Sequence, residues 1–182
     1  MNTTNYSTHH GSLITRGFVS QRYIINELSK DFNYSQIKKK IKIENIDLDI
    51  IKKLKINSIF SDIKFTISKN NKAEIDIFLI IDNEYYLIEV KSGNSHNDNQ
   101  KCWRIKNILD ISKEYLETNY KISPAKIHKI ILISDDYKFY PALNDIKLLT
   151  LEELQKLLNL NKTFSSNIRK KIHTYDVKKG LV

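Results

Sequence analysis

Two acids and a lysine, Asp76, Glu89 and Lys91, stand inside an otherwise apolar stretch. Their segment runs Ala73-Glu74-Ile75-Asp76-Ile77-Phe78-Leu79-Ile80-Ile81-Asp82-Asn83-Glu84-Tyr85-Tyr86-Leu87-Ile88-Glu89-Val90-Lys91-Ser92-Gly93. It reads as two strands, at about 74–81 and 85–91, joined by a tight turn at Asp82-Asn83-Glu84. Side chains alternate along a strand, so Glu89 and Lys91 share a face while Val90 turns away; Glu74 and Asp76 share a face on the preceding strand. A hairpin therefore brings Asp76 against Glu89, with Lys91 alongside. Two carboxylates of this kind suit Mg²⁺, which leaves waters and a phosphate oxygen to fill its octahedron. Such an ion acidifies a bound water and offsets charge on a scissile phosphate. Lys91 would position or help deprotonate that water, or stabilise the pentavalent transition state. The backbone carbonyl of Val90 is the natural third oxygen. The plain alternative is a surface hairpin whose charges are merely solvated.

The flanking elements decide whether such a hairpin is held in place. Leu13, Phe18, Ile24, Ile25 and Leu28 predict a helix from about Ser12 to Lys30, with Ser12 as N-cap. Residues 36–55 are Lys/Ile-rich and read as helical or mixed. Ile59 to Ser68 alternates as a strand with Ile63, Phe65 and Ile67 on one face, and Lys69-Asn70-Asn71-Lys72 is a turn by composition. After Ser92-Gly93-Asn94-Ser95, a long helix is expected from Asn97 to Thr118, carrying Ile105, Ile108, Leu109, Tyr115 and Leu116. Lys126 to Ser134 is nearly continuous in apolar residues, as in a strand covered on both faces. A short strand at 146–149 leads to Thr150-Leu151-Glu152-Glu153, a capping-box signature. The tail from Asn161 forms a last basic helix. This order predicts an α/β fold, a central mixed sheet flanked by helices. One domain is expected over 1–182, its core at about 12–160 and its basic tail at 161–182.

The 182 residues carry a formal charge of +9, and the charge is clustered. Residues 1–26 hold Arg16 and Arg22 and no acid, and residues 38–55 hold seven lysines against Glu44, Asp47 and Asp49. The last 22 residues hold Lys162, Arg169, Lys170, Lys171, Lys178 and Lys179 against Asp176 alone. Clusters of this sign attract polyanions, nucleic acid above all. A single cysteine, Cys102, rules out an internal disulfide framework and a Cys-based zinc site. No apolar run approaches a membrane span, so a cytoplasmic location is expected.

Asp76 with Glu89-Val90-Lys91, in the order helix, three-stranded meander, helix, strand, resembles the PD-(D/E)XK nuclease superfamily of restriction endonucleases, archaeal Holliday-junction resolvases and repair nucleases. The likeness spans roughly residues 12–150. It implies a restriction-endonuclease-like core and a Mg²⁺-dependent phosphodiesterase (Mn²⁺ can substitute) acting mostly on DNA, as a homodimer because two strands need two sites. It implies Asp76, Glu89 and the Val90 carbonyl as metal ligands and Lys91 as catalytic. Gln100, opening the long helix, takes the place of a glutamine or lysine that contacts phosphate or positions water in some members. The proline usual before the aspartate is absent, with Glu74-Ile75 in its place. Members often carry an acid four residues after a glycine in the first helix; here Gly17 is followed by Gln21, a weak ligand, and Glu27 is the chain's first acid. This leaves a one-metal site or a modified second site, with one metal favoured over two. The small size favours structure- or backbone-directed recognition over sequence-specific restriction. A non-catalytic nucleic-acid-binding module of the same fold, or an RNA nuclease, are the competing readings. Trp103 reads as a core or interface residue, and the histidines 9, 10 and 96 as bystanders.

Overall fold

Alternating apolar residues produce five strands in the computed structural model, which describes residues 5–31, 57–69, 71–92, 99–134 and 143–180, without the side chains of 5–15 and 99–101. The strands are β1 (Ser58–Ser68), β2 (Asn71–Ile81), β3 (Glu84–Lys91), β4 (Ile127–Ile133) and β5 (Lys147–Thr150). They lie side by side in chain order. β1, β2 and β3 form an antiparallel meander, while β4 and β5 continue in parallel with β3. The helices are α1 (Asn5–Asp31), α2 (Asn99–Tyr120), α3 (Leu151–Leu157) and α4 (Phe164–Lys179). The expected mixed sheet flanked by helices is what the chain forms.

Two apolar layers cover the two faces of the sheet. Leu109 and Leu116 of α2 pack with Phe60, Phe65, Phe78 and Leu87 on one face. On the other, Ile24 and Leu28 of α1 meet Leu79, Ile88, Val90 and Leu132, together with Leu154 of α3 and Ile168 of α4. Each such side chain, fully buried, stabilises the fold by roughly 1.5–3 kcal/mol. Because β3 and β4 are parallel, α2 is the crossover between them and must run back along the sheet. Its N-terminus therefore lies at the end of the sheet where β3 finishes.

Several local expectations shift. The first helix begins at Asn5, so Ser12 is an interior residue rather than an N-cap; no proline interrupts the run between them. Phe18, expected to pack inward, is half exposed, and Ile67 is also exposed. The hairpin turn has two residues, not three. Asp82 and Asn83 both adopt positive φ, 50° and 66°, the twist that a type I′ turn requires, and Glu84 already belongs to β3. β2 starts at Asn71, inside the expected turn. The reading of residues 36–55 lies outside the described residues. The capping box is present: the Glu153 amide donates to Thr150 Oγ1 at 3.2 Å, and the Thr150 amide donates to Glu153 Oε2 at 2.7 Å.

The basic tail is docked on α1 by charge. Arg16 donates to both Asp176 oxygens, at 2.8 Å from Nε and 2.7 Å from Nη2. Glu27 is buried and accepts from Lys171 at 2.6 Å, Lys30 at 2.7 Å and Asn167 at 3.1 Å. Burial alone would raise the Glu27 pKa, but the hydrogen bonds from Lys171, Lys30 and Asn167 prevail and hold it at about 2. The folded carboxyl is thus more acidic than its ordinary 4.5, so its contribution is present above that value and is lost as pH falls towards 2. Glu27→Ala is expected to lower stability by about 2 kcal/mol at neutral pH, the scale of a charged hydrogen bond. Urea titrations at pH 7 and pH 3 should show the gap between wild type and variant narrowing in acid; an equal gap at both values would contradict this role.

Candidate active site

The ladder between β2 and β3 stops short of both strands' ends. It pairs Ile81 with Glu84 and runs to Ile77 opposite Ile88, and there it closes. Beyond that point β2 stays with β1, as in Ile75 opposite Ile63, while β3 stays with β4, as in Lys91 opposite Ile133. The sheet forks, and Asp76 and Glu89 are the first residues on either arm. Their side chains occupy the backbone groups that the fork leaves unpaired. Asp76 Oδ2 accepts from the Val90 amide at 2.8 Å, and the Asp76 amide donates to Glu89 Oε1 at 3.4 Å. Lys91 Nζ donates to Glu89 Oε2 at 3.0 Å. The hairpin thus brings Asp76, Glu89, Val90 and Lys91 together.

A change of phase in the two neighbouring strands sharpens this corner. Ala73 and Ile75 pack on the α2 side, as do Phe78 and Ile80, although strict alternation would put the two pairs on opposite faces. β1 shows the same slip between Phe60 and Ile63. The slip falls at Asp62, which lies between the pairs Ser61–Ile77 and Ile63–Ile75 and so stands across from Asp76. Asp62 has φ of 53°, a left-handed conformation that is unusual for a non-glycine residue and uncommon within a strand. Sequence reasoning passed over Asp62. Its signal was available: the apolar run Ile59-Phe60 and the alternation Ile63-Phe65 are out of phase, and an acid fills the gap.

Gln21 ties the two acids to α1. It is buried, and its Nε2 donates to Asp62 Oδ1 at 3.1 Å and to the Asp76 carbonyl at 3.0 Å. Helix and strand approach closely one turn earlier, where a side chain at Gly17 would meet Ser92 Oγ at 3.3 Å. Glu27, the chain's first acid, is turned away into the α4 contact already described. Gln100 lies in the first turn of α2, at the fork end of the sheet, with its side chain outside the described residues. Trp103 is no core residue: it is 68% exposed, because Cys102 and Ile105 take the inward positions of α2.

Electrostatics at the corner favour a cation. Burial, then the like charge of Glu89, pushes the Asp76 pKa up to about 7, against the pull of Lys91 and the Val90 amide; Asp62 adds to the rise. The donors are hard oxygens, as Mg²⁺ prefers, and two protein carboxylates are enough for that ion. Among the described residues no group of three or more His, Cys, Asp or Glu is placed to hold a metal. Any ion here would rest on the Asp76–Glu89 pair and backbone oxygen.

The raised pKa has a measurable sign. Between the ordinary value of 3.8 and about 7 the folded state holds the proton that the unfolded chain has lost. Metal-free stability therefore falls as pH rises through that window and levels off above it. Thermal melts in EDTA from pH 5 to pH 8 should show this fall in wild type and a flatter profile in Asp76→Asn, which is the more stable of the two at pH 8 by a few degrees. Parallel profiles would contradict the strained carboxylate.

Comparison with known families places the chain. No curated protein matches it, and no helix among the described residues is long and apolar enough to cross a membrane. The model of the nuclease-related domain, NERD, matches residues 39–133, just over half of the chain. That span contains β1 to β4, α2 and the fork, and leaves α1, α3 and α4 outside. A chain with this fold and this match belongs to the nuclease-related domain family, within the PD-(D/E)XK-like nuclease superfamily.

Proposed function

We propose that the protein is a Mg²⁺-dependent endonuclease acting on DNA, directed by backbone or structure more than by base sequence. The observation that supports this most is the fork itself: two carboxylates held together at the cost of a raised pKa, with Lys91 bonded to one of them. Asp76, Glu89 and the Val90 carbonyl would hold the ion. When bound, it supplies charge neutralisation at the phosphate and a more acidic water. Lys91, about one-third exposed, reaches solvent while bonded to Glu89 and can turn its ammonium to a phosphate oxygen as negative charge builds there. Gln21 serves as a brace: bonded to Asp62 and to the Asp76 carbonyl, it fixes the strand from which the carboxylate projects. This favours one metal over two. A homodimer would supply the two sites that cutting both strands requires.

The amide at Gln21 also supports a second reading, a binding module of the same fold without catalysis. Purified protein incubated with supercoiled, linear, single-stranded and four-way-junction DNA separates them. Cleavage is expected with Mg²⁺ or Mn²⁺ and not with EDTA, and Asp76→Ala or Lys91→Ala should slow it by at least about 100-fold, the scale set by removing one transition-state contact. Preference for junctions over linear duplex supports structure-directed recognition, and discrete plasmid bands support a restriction-type enzyme. Intact binding without metal-dependent cleavage of any substrate would overturn the enzymatic reading.

A further inference from the structure

Four of the chain's 30 Lys and Arg residues are arginine: Arg16, Arg22, Arg104 and Arg169. Arginine's planar guanidinium suits two-pronged grips on carboxylates and stacking on rings. Two of the four grip carboxylates with two nitrogens each, Arg16 on Asp176 and Arg169 on Glu152. Arg22 and Arg104 are exposed, and no carboxylate pairs with either among the described residues. Each stands near an exposed aromatic residue in the sequence of its own helix. Arg22 lies over Phe18, its guanidinium carbon 4.8 Å from the ring centroid, and Arg104 follows Trp103. Phe18 and Trp103 are the two aromatic rings among the six large apolar side chains exposed in the described residues, at 50% and 68%.

Both rings stand at the fork end of the sheet. Phe18 is one helical turn from Gln21, which bonds the Asp76 carbonyl, and it follows Gly17, which packs on Ser92 just beyond Lys91. Trp103 lies in the opening turns of α2, whose N-terminus the parallel crossover sets at the end of β3. The helices cover opposite faces, so the fork has an exposed ring on either side, Phe18 with Arg22 over it on one and Trp103 on the other. Buried rings explain a core; exposed rings offer flat surfaces for stacking bases, and exposed arginines on the same helices supply cations for the adjoining phosphates.

We propose that Phe18, with Arg22 over it, and Trp103 are stacking platforms for unpaired nucleotides, and that the chain threads a single strand across the fork. The inference rests on the nuclease reading of that fork and specifies its substrate: nucleic acid that is single-stranded or frayed at the cut, one strand to each protomer's fork, rather than intact duplex. Duplex bases are already stacked on one another and cannot lie on these rings.

The chain has one tryptophan, so Trp103 is a built-in probe. Asp76→Asn protein in EDTA is titrated with oligothymidylate, oligouridylate and a blunt duplex of the same length. Either single strand should quench the emission saturably and bind at least about fivefold more tightly than the duplex. Labelled-oligonucleotide anisotropy should show Phe18→Ala and Trp103→Ala each weakening single-strand binding by roughly 5- to 100-fold, the range for one lost stacked base, with Trp103→Phe retaining it. Circular dichroism checks that the variants keep their helices. Single-strand affinity unchanged in both alanine variants would overturn the proposal. So would an emission that responds to protein concentration and not to oligonucleotide, the mark of a homodimer contact at Trp103. The two readings fail separately: aromatic-dependent binding without metal-dependent cleavage removes the nuclease and keeps the platforms, and cleavage that ignores both substitutions does the reverse.

Discussion

Asp76 and Glu89 repel one another, and the fold holds them together all the same. An antiparallel ladder that ran to its end would pair their backbones and leave the side chains free to turn apart. The fork prevents this by letting each carboxylate take a backbone amide from the opposite arm. What would have been two unpaired donors at a strand end becomes the anchorage of two like charges. The price appears in the raised pKa of Asp76, and a cation is what relieves it. The surrounding features serve this corner: the left-handed turn at Asp62, the Gln21 brace, and the Ser134 amide that donates to the Lys91 carbonyl at 3.0 Å and pins the end of β3.

The matched family segment contains the fork and lacks α1, which braces it. In this chain the brace is itself held from outside, by Arg16–Asp176 and by Glu27 with Lys171 and Asn167 of α4. Part of the tail's positive charge is therefore neutralised within the fold. Within the described part of the tail, Lys162, Lys170, Lys178 and Lys179 are exposed.

Elements governed by local rules were legible in the sequence. The hairpin's place, the Thr150 capping box, the buried run of β4 and the approach of Asp76 to Glu89 across the hairpin follow from alternation and turn chemistry, although the turn is one residue shorter than expected and the ladder closes before the two acids. The site's other half was not, because it depends on tertiary contact. The resemblance marks Gln21 only as a weak ligand where an acid is usual; its bonds to Asp62 and the Asp76 carbonyl show once α1 is laid across the sheet. Asp62 reads as a surface charge until its strand is seen to change phase beside Asp76. Phe18, expected to pack inward, is exposed, and of the two readings of Trp103, core or interface, its exposure removes the first.

The account stands on the Asp76–Glu89 pair as a divalent-cation site, and Mn²⁺ binding tests it without any substrate. Calorimetric or spin-resonance titration of wild type and Glu89→Gln at pH 6 and pH 8 should show a single Mn²⁺ bound more tightly at the higher pH, with a proton released from Asp76, and little binding to the variant. Equal Mn²⁺ affinity in both proteins, or affinity that does not change with pH, would contradict it.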